Sequence, residues 1–394
     1  MSRKSADVPM FFFIGSTHFL IHVLSQLLPA VLPVIRSEMG LTLTQASLLI
    51  SIPLMVGVFA YLPVGFISKK NGVIVLTLSL VLIAIGGVII PFAGNYGIIL
   101  LGFGILGLGQ TMYHPPALKV AGDVESKKLG LAMGVQMAGG SLGSAVGPIT
   151  LGLILLIWDW RVGFYIWVPV ILLGAVYSFN FMNQTIKPQG LDLSQASLGV
   201  PRSLLNRGFV MIVILGAIME ASSMILLTYV TSYLTGVMGL SASLASVIFG
   251  VGALLGIVGC LLGGIAGDKF GRYKSIILVM VLMAVSVALI PVFSNLILVV
   301  LLFVVWRGLN SASMPLMNSL VVSHSEPQYR AMAFSISFLV SNLADALVPV
   351  AASVFIEGRL GVIFPISVLT LIPGIVLALY IGGFIKRRRS IGSS

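Results

Sequence analysis

The chain has 394 residues, 58% of them apolar and only 8% charged, where an ordinary soluble domain carries about 25% charged residues. With a mean hydropathy of +1.13, most of its surface must be solvated by lipid, and soluble enzymes, nucleic-acid modules and disordered chains all fit poorly. The net charge of +11 does not point to nucleic acid, because the basic residues stand in short clusters between apolar runs, as in the loops of membrane proteins.

A helix crosses a bilayer with about 20 apolar residues. On that rule the sequence predicts twelve spans, over 10–34, 43–67, 73–93, 96–118, 129–154, 161–182, 209–235, 243–266, 274–294, 296–320, 330–355 and 361–385. The fold class expected is therefore an all-α integral membrane protein. The first run, from Met10 to about Val34, is too long for a signal-peptide core and is read as a retained helix. The runs are too long for strands and lack the alternation of a membrane barrel. A polar stretch at 183–208, with Pro188, Gly190, Pro201 and several serines, reads as a linker. It divides residues 1–182, an N-terminal six-helix bundle, from residues 209–394, a C-terminal one. The single cysteine, Cys260, permits no intrachain disulfide and reads as a small buried or lipid-facing residue.

Lysine and arginine in the loops orient the chain. With the N-terminus inside, 18 of the 22 basic residues fall on the cytoplasmic side, Arg36, Arg161 and Arg359 fall outside, and Arg307 lies within the tenth span. Both termini are expected in the cytoplasm of a multi-pass cell-membrane protein, with Lys386, Arg387, Arg388 and Arg389 as an anchor at the inner face.

The two halves repeat. A shift of 201 carries Gly107-Leu108 onto Gly308-Leu309, Glu125 onto Glu326 and Pro148 onto Pro349, and a shift of 199 carries Gly65 onto Gly264 and Gly72 onto Gly271. A duplication of six helices per copy is the pattern of a transporter built from parallel halves.

Between the eighth and ninth spans stands Gly264-Ile265-Ala266-Gly267-Asp268-Lys269-Phe270-Gly271-Arg272. It matches G-x-x-x-D-[RK]-x-G-[RK], and here the chain resembles the major facilitator superfamily. The glycines allow a tight turn and close helix approach, and Asp268 is suited to the positive end of a helix. The resemblance implies a gating turn, of Gly264, Asp268, Lys269, Gly271 and Arg272, that latches the two halves on the cytoplasmic side. The first-half copy has Lys69 where the family has Asp, and a cation cannot act as the anionic latch. The fifth span carries Gly139, Gly140, Gly143, Gly147, Pro148 and Gly152. This resembles the helix-5 motif of proton-coupled drug exporters, with Leu151 in place of one glycine. Small residues every four positions let helix backbones approach, and Pro148 permits a bend. His18-Phe19-Leu20-Ile21-His22, then Gly109 through Pro116, then Gly130-Leu131-Ala132 resemble the fosmidomycin-resistance branch. Val23 and Pro116 stand where that branch has acidic residues.

Ionisable groups in mid-membrane are costly and mark function. Glu220 and Asp345 lie eleven to sixteen residues into their spans, which is about 16–24 Å at 1.5 Å per residue, and Arg307 is similarly deep. Arginine cannot shed its proton, so Arg307 needs a carboxylate or an anionic substrate. The expectation is that it pairs with Asp345, Glu220 or both, and that these three carry proton coupling. His18, His22 and Gln26 share one helix face at i, i+4 and i+8. With Gln110, Tyr113, His114, Gln136, Asn310 and Asn342 they are expected to line a substrate cavity. A metal is set aside because no cysteine or acid accompanies the histidines at a suitable local spacing.

No phosphate loop or enzymatic constellation is present in the sequence. The resemblance implies a secondary active transporter: proton-coupled export of a small organic compound or drug, with uptake or exchange of an organic anion through Arg307 as the alternative. No cofactor is expected. The expected partners are a small-molecule substrate, protons and membrane lipids, with no nucleic acid and a monomeric chain.

Overall fold

The computed structural model describes residues 3–122, 129–185, 204, 206–326 and 329–391. Most of the expected linker, 183–208, lies outside the described residues. Those that are described form helices and no strand. They are α1 (Arg3–Ser25), α2 (Leu27–Glu38), α3 (Leu43–Ile89), α4 (Tyr96–Gly122), α5 (Leu129–Ile154), α6 (Arg161–Thr185), α7 (Arg207–Gly236), α8 (Ala242–Phe270), α9 (Arg272–Leu289), α10 (Leu296–Ser323), α11 (Arg330–Ile356) and α12 (Ile363–Ile391). They contain twelve stretches long and apolar enough to cross a membrane.

Two boundaries differ from expectation. The first span breaks at Gln26 into α1 and α2. Pro29 has no N–H to offer the Ser25 carbonyl, and its ring crowds that same residue four positions back. The second and third spans form one helical run, α3, although their sequences predict a turn near Gly65–Gly72. The run is not straight. A Cβ on Gly107 of α4 would strike Pro53, and one on Gly57 would meet Thr111 at 2.6 Å, so the first part of α3 lies parallel to α4. Gly86 faces Gly102, and Gly109 faces Ser79 and Ile83, so the second part is antiparallel to it. The chain therefore reverses between Gly57 and Ser79, and the apolar spans on either side are Leu43–Tyr61 and Gly72–Phe92. The second-half copy makes the reversal differently, by a break at Gly271 with φ of 89°, a region open chiefly to glycine.

The duplication is also visible in local structure. Ile90-Pro91-Phe92 and Ile290-Pro291-Val292 each form a single 3-10 turn. Asn95 and Asn295 then start the next helix. Asn95 Oδ1 accepts from Ile98 N at 3.0 Å, and Asn295 Oδ1 accepts from Ile297 N at 2.9 Å. Each side chain satisfies amides that a helix N-terminus leaves unbonded.

Contacts divide the chain into two compact units, Met1–Ala196 with Gly239–Val251, and Ser197–Met238 with Gly252–Ser394. In the first, α1 and α5 run parallel along a seam of small residues. A Cβ on Gly139, Gly143 or Gly147 would strike the carbonyl of Gly15, Phe19 or Val23 respectively. Gly152, the last glycine of that motif, meets the start of α8, where Ser243 Oγ donates to the Gly152 carbonyl at 2.7 Å. At one end of this unit Arg161 forms ion pairs with Glu38 and Asp159 and donates to the Pro91 carbonyl at 3.1 Å. Trp160 Nε1 donates to Glu38 at 2.8 Å. These bonds bring the ends of α2, α3 and α5 to one side. In the second unit α8 and α10 are parallel. Cβ atoms on Gly259 and Gly263 would strike the carbonyls of Gly308 and Ala312.

Candidate functional site

Two polar clusters stand in the spans, one in each unit. In the second unit α7 supplies Glu220 and Ser223, three residues apart and so on one helix face. Ser223 Oγ donates to Asn310 Oδ1 of α10 at 2.7 Å. That bond fixes α7 against α10 and sets Arg307, one turn before Asn310, beside Glu220. Glu220 is in coulombic interaction with Arg307, and Asp345 of α11 is in coulombic interaction with Glu220. Gly252 of α8 makes room for the arginine stem, since a Cβ there would lie 3.0 Å from Arg307 Cγ.

The exposure of Glu220 is informative. It is exposed, while Met219 and Ala221 on either side are buried. A carboxylate at that depth facing hydrocarbon would cost several kcal/mol, so Glu220 needs the charged surroundings that Arg307 supplies. Asp345 is half-buried, and among the described residues its Oδ1 is buried without a hydrogen-bond partner. Asn342, three residues before it, is half-buried and makes no side-chain hydrogen bond among the described residues.

In the first unit α1 and α4 bring three of the four histidines together. His18 and His22 stand one turn apart on α1, their Nε2 atoms 3.1 Å apart. His114 lies against both, with ring centroids 5.6 Å from His18 and 6.3 Å from His22. Tyr113 stacks on His18 at 5.6 Å and an interplanar angle of 8°. The Tyr113 hydroxyl is bonded to Thr17 Oγ1 at 2.8 Å. His18 Nδ1–H donates to the backbone carbonyl of Gln136 on α5 at 2.6 Å, so Gln136 contributes through its main chain. The expected i, i+4, i+8 face stops short of Gln26, because α1 ends at Ser25. Gln26, at that break, and half-buried Gln110 make no side-chain hydrogen bond among the described residues.

Asp268 and Lys269, expected in a turn between spans, lie instead in the last turn of α8, and both are exposed; the chain leaves the helix only at Gly271. Lys269 Nζ lies 5.5 Å from the Phe270 ring centroid, and Arg272 Nη1 donates to the Ser319 carbonyl of α10 at 3.2 Å. Asp268 makes no hydrogen bond or ion pair among the described residues. A Cβ added at Gly264 would meet nothing within 4 Å, whereas Gly271 carries the positive φ. The loop histidine, His324, caps α10 and bonds Tyr273 at 3.1 Å.

Several contributors were not singled out from sequence. Ser223 could have been, since it shares the face of Glu220 at i+3. Thr17 carried no signal, because the contact that gives it meaning comes from a tyrosine 96 positions away.

Twelve apolar spans, a six-helix repeat and polar side chains at mid-span define a transporter-type membrane protein. The family model of the major facilitator superfamily matches residues 14–349 and 261–390, and the chain belongs to that superfamily. It is similar to the fosmidomycin resistance protein of Escherichia coli (strain K12), 26% identical over 290 residues, which are 66% of this chain and 65% of that protein. The match thus spans just under two thirds of that relative. It is also similar to the bacillibactin exporter of Bacillus subtilis (strain 168), 30% identical over 149 residues, 36% of this chain and 37% of that one. Among solved structures, a bacterial homologue of the human lysosomal transporter Spinster superposes with a TM-score of 0.77 at 15% identity, covering 96% of this chain and 95% of that one.

Proposed function

We propose that the protein exports a small organic compound in exchange for protons, by alternating access, across a cell membrane with both of its termini in the cytoplasm. The observation that carries the reading is Glu220, an exposed carboxylate at mid-span with Arg307 and Asp345 around it. A proton and the Arg307 guanidinium compete for the Glu220 carboxylate. A cycle that alternates a cation-paired with a desolvated environment loads and releases that proton. Asp345 Oδ1, buried with no donor among the described residues, is available to take one. The export direction is supported by the relative named as a bacillibactin exporter, and fosmidomycin is the probe suggested by the relative named for resistance to it. Asp268 and the motif around it serve as the cytoplasmic latch in this reading; within the first unit His18, His22, Tyr113 and His114 are the substrate-facing group, and within the second unit Asn310 and Asn342 are.

The test is accumulation of labelled fosmidomycin in cells making the protein, with and without a protonophore, beside Asp345→Asn. Accumulation below that of control cells is expected, restored by the protonophore and by the variant. Transport that survives both Asp345→Asn and Glu220→Gln would end the coupling proposal. Raised accumulation, lost in Arg307→Ala, would replace export by uptake of an organic anion.

A further inference from the structure

The three histidines of the first unit remain without a specific chemical task in the transport reading. A packing histidine uses both ring nitrogens in hydrogen bonds; His18 does, to Gln136 and to His22, but His22 does not. His18 donates from Nδ1 to the Gln136 carbonyl, which in the neutral ring leaves Nε2 as a lone-pair acceptor. That lone pair faces His22 Nε2 at 3.1 Å. The other nitrogen of His22, Nδ1, is buried with no hydrogen-bond partner among the described residues. His114 brings a third imidazole, and one ring nitrogen from each of the three lies within 4.8 Å of the others.

We infer that His18, His22 and His114 form a binding site for a divalent transition-metal ion of the zinc class, with three imidazole ligands and a fourth position open. Ligands at about 2.0–2.1 Å in a tetrahedron place their nitrogens about 3.4 Å apart. The His18–His22 spacing of 3.1 Å already lies near that value. The third ligand closes the remaining gap by turning about its terminal side-chain torsion, which is broad for histidine. The surroundings match a metal-bound imidazole. A carbonyl fixes the His18 tautomer and aims its other nitrogen into the cluster, as the outer partners of metal-bound histidines do. Tyr113 stacks on the same ring and is held by Thr17. Gly140 leaves the ring its place, since a Cβ there would lie 2.6 Å from His18 Cε1. His18 is buried while His22 and His114 are half-buried, so the group is framed on one side and open on the other. Nitrogen ligands without a carboxylate select zinc, copper or nickel over magnesium and calcium, which demand oxygen. The signal was hidden in sequence because the pair on α1 and the third ligand on α4 are 92 positions apart.

The experiment uses the full-length protein, purified in detergent through a histidine-free tag and stripped with a chelator. Cobalt(II) is titrated in and followed by its visible absorption, then displaced with zinc. One cobalt per chain with a tetrahedral spectrum is expected, displaced by zinc and unaffected by excess calcium. His22→Gln and His114→Gln should each weaken binding at least tenfold, while His324→Gln leaves it unchanged. Absence of binding up to millimolar cobalt in protein that melts cooperatively would overturn the inference, and so would binding retained in both variants. If one variant fails to melt cooperatively, the other decides. The readout is metal occupancy, so failure of the transport proposal leaves the result standing.

Discussion

Arg307 and Glu220 are not equivalent partners. A carboxylate that loses its cation neutralises itself by taking a proton, whereas a guanidinium that loses its carboxylate stays charged at any accessible pH. Breaking a buried pair from one side costs about 3–5 kcal/mol where the survivor cannot neutralise. The exposure of Glu220 lowers that figure, yet the asymmetry remains. Glu220→Met is therefore expected to lower the melting temperature in detergent more than Arg307→Met does, and the double variant should lie above Glu220→Met alone. A reversed order would show that Arg307 draws its compensation from elsewhere. The deep charges themselves were legible from sequence, because three ionisable residues in otherwise apolar spans stand out against their neighbours. Their arrangement was less so. Sequence left Arg307 with two possible carboxylates, and in the fold it is Glu220 that interacts with Arg307, while Asp345 interacts with Glu220, beside the α7–α10 contact that Ser223 and Asn310 hold.

At the scale of the element, the α1–α5 seam is the clearest case of a sequence pattern with a physical outcome. Gly139, Gly143 and Gly147 recur every four residues, and each lies over a carbonyl of α1, at Gly15, Phe19 and Val23. No hydrophobic force separates helix from lipid, so close backbone packing has to hold such a pair together. An added methyl has no flexible side chain to push aside here. Gly143→Ala and Gly147→Ala are each expected to cost about 1–3 kcal/mol by overpacking, read as a lowered melting temperature. Gly134 of the same helix has nothing within 4 Å of its would-be Cβ. Gly134→Ala should leave stability unchanged or raise it by about 0.5 kcal/mol through helix propensity. Equal effects at 134 and 143 would refute the seam. The glycine spacing was legible, but its partner was not, because periodicity says that a face is narrow and not which helix it meets. The break at Gln26 was legible in principle from Pro29, since proline acts four residues upstream. The single helical assignment of α3 was not, because Gly65 and Gly72 announce the same turn in the first copy as Gly264 and Gly271 in the second, and only the second breaks, at Gly271.

At the scale of the molecule, hydropathy made the twelve spans legible, whereas the contact units do not follow the expected six-and-six division, since Gly239–Val251 groups with the first unit. The spans are the features a bilayer enforces most strongly, since every backbone group in hydrocarbon must be bonded within its own helix. Sidedness rests on a different argument. The bonds among Glu38, Pro91, Asp159, Trp160 and Arg161 gather three connections of the first unit at one end, and the sequence places Arg36 and Arg161 at that same end. Arg161 is spent there on ion pairs that tie the connections, so its presence has a structural cause. The basic residues left for topology fall overwhelmingly in the connections of the opposite end, and basic loops resist translocation. A green fluorescent protein joined after Ser394 is therefore expected to fluoresce. Alkaline phosphatase fused after Gly94 should be active, and the same fusion after Lys274 inactive. Activity after Lys274 together with inactivity after Gly94 would invert the molecule. It would move the Asp268 turn to the outer face and remove the cytoplasmic latch from the proposed cycle, while leaving the Glu220, Arg307 and Asp345 cluster at the same depth.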